Sequence, residues 1–94
     1  TKGALIAGSK SLALELARNK IRVNCISPGM VKTGMSQALL DKVTPEALSE
    51  IQKAHPLGIG EPEDIADTCV FLLSDSAGWI TGTNIIVDGG YTAQ

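Results

Sequence analysis

Wound at about 100° per residue, the first eighteen residues bring Leu5, Ile6, Leu12, Ala13, Leu16 and Ala17 onto one apolar arc, which predicts a helix over 1–18. Lys10, Glu15 and Arg18 fall outside that arc, whereas Lys2 points into its middle. An ammonium aimed at a buried face is costly unless it gains a partner, a ligand or a cavity, so Lys2 reads as a working group. The apolar periodicity starts with the first residue and has no cap ahead of it, while Asn19 is the expected C-terminal cap. The pattern then changes. Residues 21–27 are rich in β-branched side chains and close on Pro28-Gly29, a strand ending in a turn, and 30–35 read as a loop. Leu39, Leu40, Val43, Leu48 and Ile51 predict one or two short helices over 36–54, broken near Thr44-Pro45 and stopped by His55-Pro56. Gly58 and Gly60 bracket a further loop. Pro62, with Glu61, Glu63 and Asp64 around it, starts a helix whose apolar face is Ile65, Ala66, Cys69, Val70, Leu72 and Leu73. Residues 83–87 form a second strand, ended by Asp88-Gly89-Gly90.

Helix, strand, helices, strand is the order of an α/β chain whose two strands run parallel and are joined by a right-handed helical crossover. Parallel sheets are covered on both faces, and a sheet of only two strands leaves the first with an unpaired outer edge. The expectation is therefore an incomplete piece of a larger sheet.

Composition narrows the function classes. Ninety-four residues make one domain at most, and with three aromatics the core is built from Ile, Val, Leu and Ala. A net charge of −2 without a Lys/Arg cluster argues against nucleic acid and against anionic membrane surfaces. Apolar runs fall far short of a bilayer span, so no membrane association is expected. Cys25 and Cys69 lack metal-like spacing and read as two buried thiols in a reducing compartment, hence a cytoplasmic protein with no metal site. His55, the only histidine, precedes proline in a loop and is expected to face solvent, and Tyr91 to be a C-terminal packing residue.

Several ordered motifs then point to a family. Thr1-Lys2-Gly3-Ala4-Leu5, Ile21-Arg22-Val23-Asn24-Cys25-Ile26-Ser27-Pro28-Gly29, Pro56-Leu57-Gly58, Gly60-Glu61-Pro62-Glu63-Asp64-Ile65-Ala66, Phe71-Leu72-Leu73-Ser74-Asp75, Ile80-Thr81-Gly82 and Val87-Asp88-Gly89-Gly90 occur in the order found in short-chain dehydrogenases/reductases. The chain resembles the C-terminal half of that family's single dinucleotide-binding domain over 1–94. The resemblance implies the C-terminal part of a doubly wound, Rossmann-type parallel sheet, with two strands and about four helices.

It also implies chemistry. Lys2 matches the lysine of the family's Tyr-x-x-x-Lys pair, whose tyrosine would stand four residues earlier. Residues i and i+4 share a helix face, so the ammonium favours the phenolate and lets tyrosine act as general acid or base. The same lysine would bond the nicotinamide ribose. Pro28, Gly29, Met30, Val31 and Thr33 resemble the loop that holds the nicotinamide of NAD or NADP. The Val31 backbone would bond the carboxamide, and the Thr33 hydroxyl would reach the carboxamide or a phosphate. Residues 34–54 would form the substrate lid, with Met35, Leu39 and Leu40 as candidate pocket residues.

One departure is local: the family commonly carries an extra residue, often Arg, after Pro-Leu-Gly, whereas here Gly58 runs directly to Ile59-Gly60. The other is the absence, within these residues, of the glycine-rich loop, the catalytic serine and the tyrosine. The expected function is hydride transfer between nicotinamide and a carbonyl or secondary alcohol, 3-oxoacyl-carrier-protein reductase-like, with a sugar or polyol dehydrogenase as the alternative. Expected partners are the missing N-terminal half, a small carbonyl or alcohol substrate, and further copies in a homodimer or homotetramer. The chain alone is expected to be inactive; a second reading makes it an inert fragment that acts only in subunit association.

Overall fold

The computed structural model describes all of residues 1–94. Its elements are α1 (Lys2–Leu16), β1 (Cys25–Pro28), α2 (Gly34–Leu40), α3 (Pro45–Lys53), α4 (Pro62–Leu73) and β2 (Asn84–Val87), with short 3-10 turns at Ala17–Asn19, Asp75–Ala77 and Tyr91–Ala93. The strands pair as a two-stranded sheet. Cys25 N–H donates to Thr83 O at 2.9 Å and Gly29 N–H to Val87 O at 2.9 Å, so the register advances in the same direction along both strands and they are parallel, as expected. The chain divides into two compact units, Thr1–Ser27 with Asp67–Ile85, and Pro28–Ala66 with Ile86–Gln94.

In the first unit, the Thr1 hydroxyl accepts the Ala4 N–H at 3.2 Å in the first turn of α1. At the other end α1 is capped by Ala17, not Asn19, and Lys20, in the left-handed region with φ 61°, caps the 3-10 turn Ala17–Asn19 that follows. Of the apolar arc only Ala13 is buried; Leu5 is 68% and Leu12 44% exposed. Ala13 owes its burial to the turn before β2, where a Cβ on Gly82 would lie 3.6 Å from the Ala13 methyl. Lys10 Nζ donates to Gly82 O at 3.0 Å and fastens the same contact. β1 begins later than the β-branched run 21–27 predicts because residues 22–24 bond to turns and side chains instead of a ladder. Arg22 donates to Leu72 O (2.7 Å), Ser74 O (3.2 Å) and Ile80 O (3.4 Å), closing the C-terminal end of α4, while Val23 N–H donates to the Thr81 hydroxyl.

In the second unit, α2 begins at Gly34, two residues ahead of the expected start. Thr33 and Ser36 form a capping box: the Thr33 hydroxyl accepts the Ser36 N–H at 3.1 Å, and the Ser36 hydroxyl accepts the Thr33 N–H at 2.7 Å. Thr44 caps α3 with Pro45 in its first turn, as the sequence indicates. Leu40 and His55 are the buried side chains of this unit. No helix is long and apolar enough to cross a membrane.

Candidate active site

Pro28 ends β1, and the chain turns at Gly29, where a Cβ would fall 2.7 Å from Asp88 Cβ and 2.8 Å from Asp88 Cα. Only glycine fits so close an approach between the chain leaving β1 and the chain leaving β2. Such carboxyl ends of parallel strands are where open α/β sheets receive ligands. Pro28, Gly29, Met30, Val31 and Thr33, the loop residues singled out from the sequence, all line one open, mainly apolar groove of about 530 Å3, together with Ser36, Pro62 and Ile65.

The backbone of this loop is held on both sides of Val31. Val31 forms a parallel bridge with Gly60: Gly60 N–H donates to Met30 O and Lys32 N–H to Gly60 O, each at 2.9 Å. The Ser36 hydroxyl donates to Val31 O. The Val31 N–H makes no hydrogen bond within the chain, which leaves an amide donor available between two residues that Gly60 holds. Thr33 is exposed, but its hydroxyl oxygen accepts the Ser36 N–H and its proton lies toward Ser36 Oγ at 3.1 Å, so the side chain first serves the start of α2.

Lys2 stands in the first turn of α1, exposed and without a hydrogen bond or ion pair in the chain. The buried placement expected from the apolar arc is corrected: the face of α1 that carries Lys2 and Leu5 is uncovered here. Met35 and Leu39 are also exposed, at 87% and 58%, whereas Leu40 packs inside.

A protein-family model described as enoyl-(acyl carrier protein) reductase matches residues 1–92. The chain belongs to the short-chain dehydrogenase/reductase family. Dehydrogenase/reductase SDR family member 4 of Homo sapiens is 45% identical over 91 residues, 96% of this chain and 32% of that protein. The 3-oxoacyl-(acyl-carrier-protein) reductase FabG of Chlamydia pneumoniae is 44% identical over 92 residues, 97% of this chain and 36% of that protein. Among solved structures, 4-hydroxyisoleucine dehydrogenase complexed with NADH superposes with a TM-score of 0.90 at 38% identity, covering 99% of this chain and 38% of its own. The chain thus spans about a third of the length of the curated relatives it matches. The match establishes a Rossmann-type α/β fold for this short-chain dehydrogenase/reductase sequence.

Two further expectations change. His55 is buried, not solvent-facing: its Nδ1 lies 2.7 Å from Ile51 O, so that nitrogen carries the proton, and its ring stacks on Tyr91 at 4.8 Å and 16°. Cys25 is half-buried and Cys69 exposed, both free, so neither is the buried thiol expected. Asp88 accepts from the Thr92 hydroxyl at 2.7 Å, the Thr92 N–H at 3.0 Å and the Gly90 N–H at 3.0 Å. The Thr92 hydroxyl bond is the main cause holding its carboxyl below the usual carboxylate range, with the backbone donors adding to it and desolvation opposing.

Sequence reasoning missed Ser36 and Gly60, the residues that fix Val31 from either side. The signal for Ser36 was its place three residues after Thr33; for Gly60 no local signal existed, since a parallel bridge joins residues far apart in sequence.

Proposed function

We propose that this chain forms the cofactor-holding and proton-tuning part of an NAD- or NADP-dependent oxidoreductase, one that moves hydride between nicotinamide and a carbonyl or secondary alcohol. The observation that carries the reading is the Val31 N–H, unbonded and fixed between bonded neighbours at the carboxyl end of β1. A planar carboxamide is recognised best by such a rigid donor, and the close Gly29–Asp88 approach keeps the loop from shifting. Solved relatives hold NADH or NADP, which agrees with a nicotinamide group here.

When bound, the nicotinamide supplies or accepts the hydride. This chain's residues bind and orient it: the Val31 backbone holds the carboxamide, while Pro28, Gly29 and Met30 shape the floor beside the ring. Thr33 adds a hydroxyl contact at the rim. Lys2 is the catalytic residue of the chain. Its ammonium bonds the ribose and favours the phenolate of a tyrosine one turn ahead on the same helix, so that a proton passes to or from the substrate oxygen. Residues 34–54 serve as substrate lid.

The substrate class is that of 3-oxoacyl-carrier-protein reductases, supported by the likeness to the Chlamydia pneumoniae enzyme. The parent works as a homo-oligomer in the cytoplasm. The exposed Leu5, Leu12 and Leu14 on α1, together with Ile86 on β2, support subunit contacts there. The 94 residues alone are inactive, because the tyrosine and the glycine-rich loop are not among them.

The test uses the full-length enzyme that contains this chain, with 3-oxoacyl thioesters and with sugar and polyol substrates. Carbonyl-dependent oxidation of NADH or NADPH is expected, fastest with the thioesters. Lys2→Ala should lower kcat by at least about 100-fold and weaken cofactor binding, as loss of proton-transfer assistance does. Unchanged turnover and cofactor affinity would remove Lys2 from the mechanism, and faster oxidation of a polyol would reassign the substrate.

A further inference from the structure

We propose that Glu61 and Lys32 act as positioning residues that hold the Val31 amide in its cofactor-binding pose, an inference that rests on the cofactor role given above to Pro28, Gly29, Met30, Val31 and Thr33. In a parallel bridge, the residue between the two bonded neighbours directs its own N–H away from the partner strand. Bonding of Met30 O and Lys32 N–H to Gly60 therefore leaves the Val31 N–H directed away from Gly60. What keeps residues 30–32 and 60–61 in register is the question, because the bridge is an isolated one with a glycine on one side.

The side chains supply the answer one residue beyond it. Lys32 follows Val31, Glu61 follows Gly60, and Lys32 Nζ lies 3.0 Å from Glu61 Oε1. The ion pair thus extends the bridge in the same direction and joins two segments 29 residues apart. The chain's other ion pair, Lys53 with Glu50 at 3.9 Å, joins neighbours on α3 and positions nothing beyond that helix. Glu61 is itself anchored: its N–H donates to Asp64 Oδ2 at 2.7 Å in the first turn of α4. The carboxylate that grips Lys32 is carried by a helix start, and a rigid element sets the position of a loop amide.

Both partners are about half exposed, at 48% and 53% of their side-chain surface, so the pair is screened by salt and its effect is modest. A slip in its register turns Val31 away, so the effect falls on cofactor binding and not on global stability.

The experiment compares the full-length wild-type enzyme with Lys32→Met, Glu61→Gln and the doubly exchanged Lys32→Glu/Glu61→Lys. NADH and NADPH affinity are read by fluorescence titration at low and high salt, and kcat and carbonyl KM at saturating cofactor. Each single change should weaken cofactor binding by about two- to fivefold at low salt, the range of an exposed pair, and leave carbonyl KM and kcat unchanged. The exchanged enzyme should recover most of the loss, and high salt should erase the differences. Single variants that bind as wild type, or an exchanged enzyme that binds no better than they do, would overturn the clamp while leaving the cofactor role of the loop standing. A wild-type enzyme that binds neither nucleotide would overturn both.

Discussion

At the scale of single residues, the loop after β1 is shaped by which polar atoms find partners. Asp88 gives the clearest titrating case. Its carboxylate is favoured by the Thr92 hydroxyl and by backbone donors at Thr92 and Gly90. The folded pKa is depressed, so the stability this group contributes is present above the pKa of the unfolded chain and is lost as pH falls through the lower folded value. Protection of the Gly90 and Thr92 amides, relative to the intrinsic exchange rate at each pH, should therefore persist into the ordinary carboxylate range and be lost only below it, with Thr92→Val moving the loss to higher pH. A protection factor at these amides that does not change with pH, or a Thr92→Val variant with the wild-type profile, would contradict the assignment. His55 belongs to the same scale: its burial was illegible because its stacking partner, Tyr91, is distant in sequence and only the fold brings the two rings together.

Among the elements, those with local signals were the readable ones. Pro45 and Pro62 mark the starts of α3 and α4, and Pro28 and Asp88-Gly89 mark the ends of the strands. The start of α2 was misplaced because its capping box uses Ser36 where glutamate or glutamine is the usual cue. The start of β1 was misplaced because β-branched content in residues 21–23 says nothing about whether a ladder partner is present. Arg22 explains what those residues do instead, for its guanidinium satisfies three carbonyls around the end of α4 and the turn after it. Arg22→Met, which keeps much of the length and removes the donors, should cost the full-length enzyme about 2 to 4 kcal/mol, since several part-buried carbonyls lose charge-assisted partners. A urea midpoint equal to that of wild type would show that water replaces the guanidinium without penalty.

For the whole molecule, family membership was legible because seven motifs fall in one order, and the comparisons bear out the family and the Rossmann-type fold. The site was legible only as a set of loop positions; that they share a groove, and that the Val31 amide is left unbonded between residues held by Gly60, is a property of the fold. Lys2 shows the limit of periodicity most plainly. The arc placed it on a face to be buried, yet that face is uncovered in these 94 residues, and the role proposed for it rests on the family pattern.

The central claim is that the Val31 N–H holds the nicotinamide. The most direct measurement is NADH and NADPH affinity of the full-length enzyme carrying Val31→Pro beside Val31→Ala, since proline removes a donor that makes no bond within the chain whereas alanine keeps it. The account predicts that the proline variant loses about tenfold or more in cofactor affinity, as a well-placed amide bond to a buried ligand group is worth, while the alanine variant stays close to wild type. Equal affinity in the proline variant and wild type would contradict it.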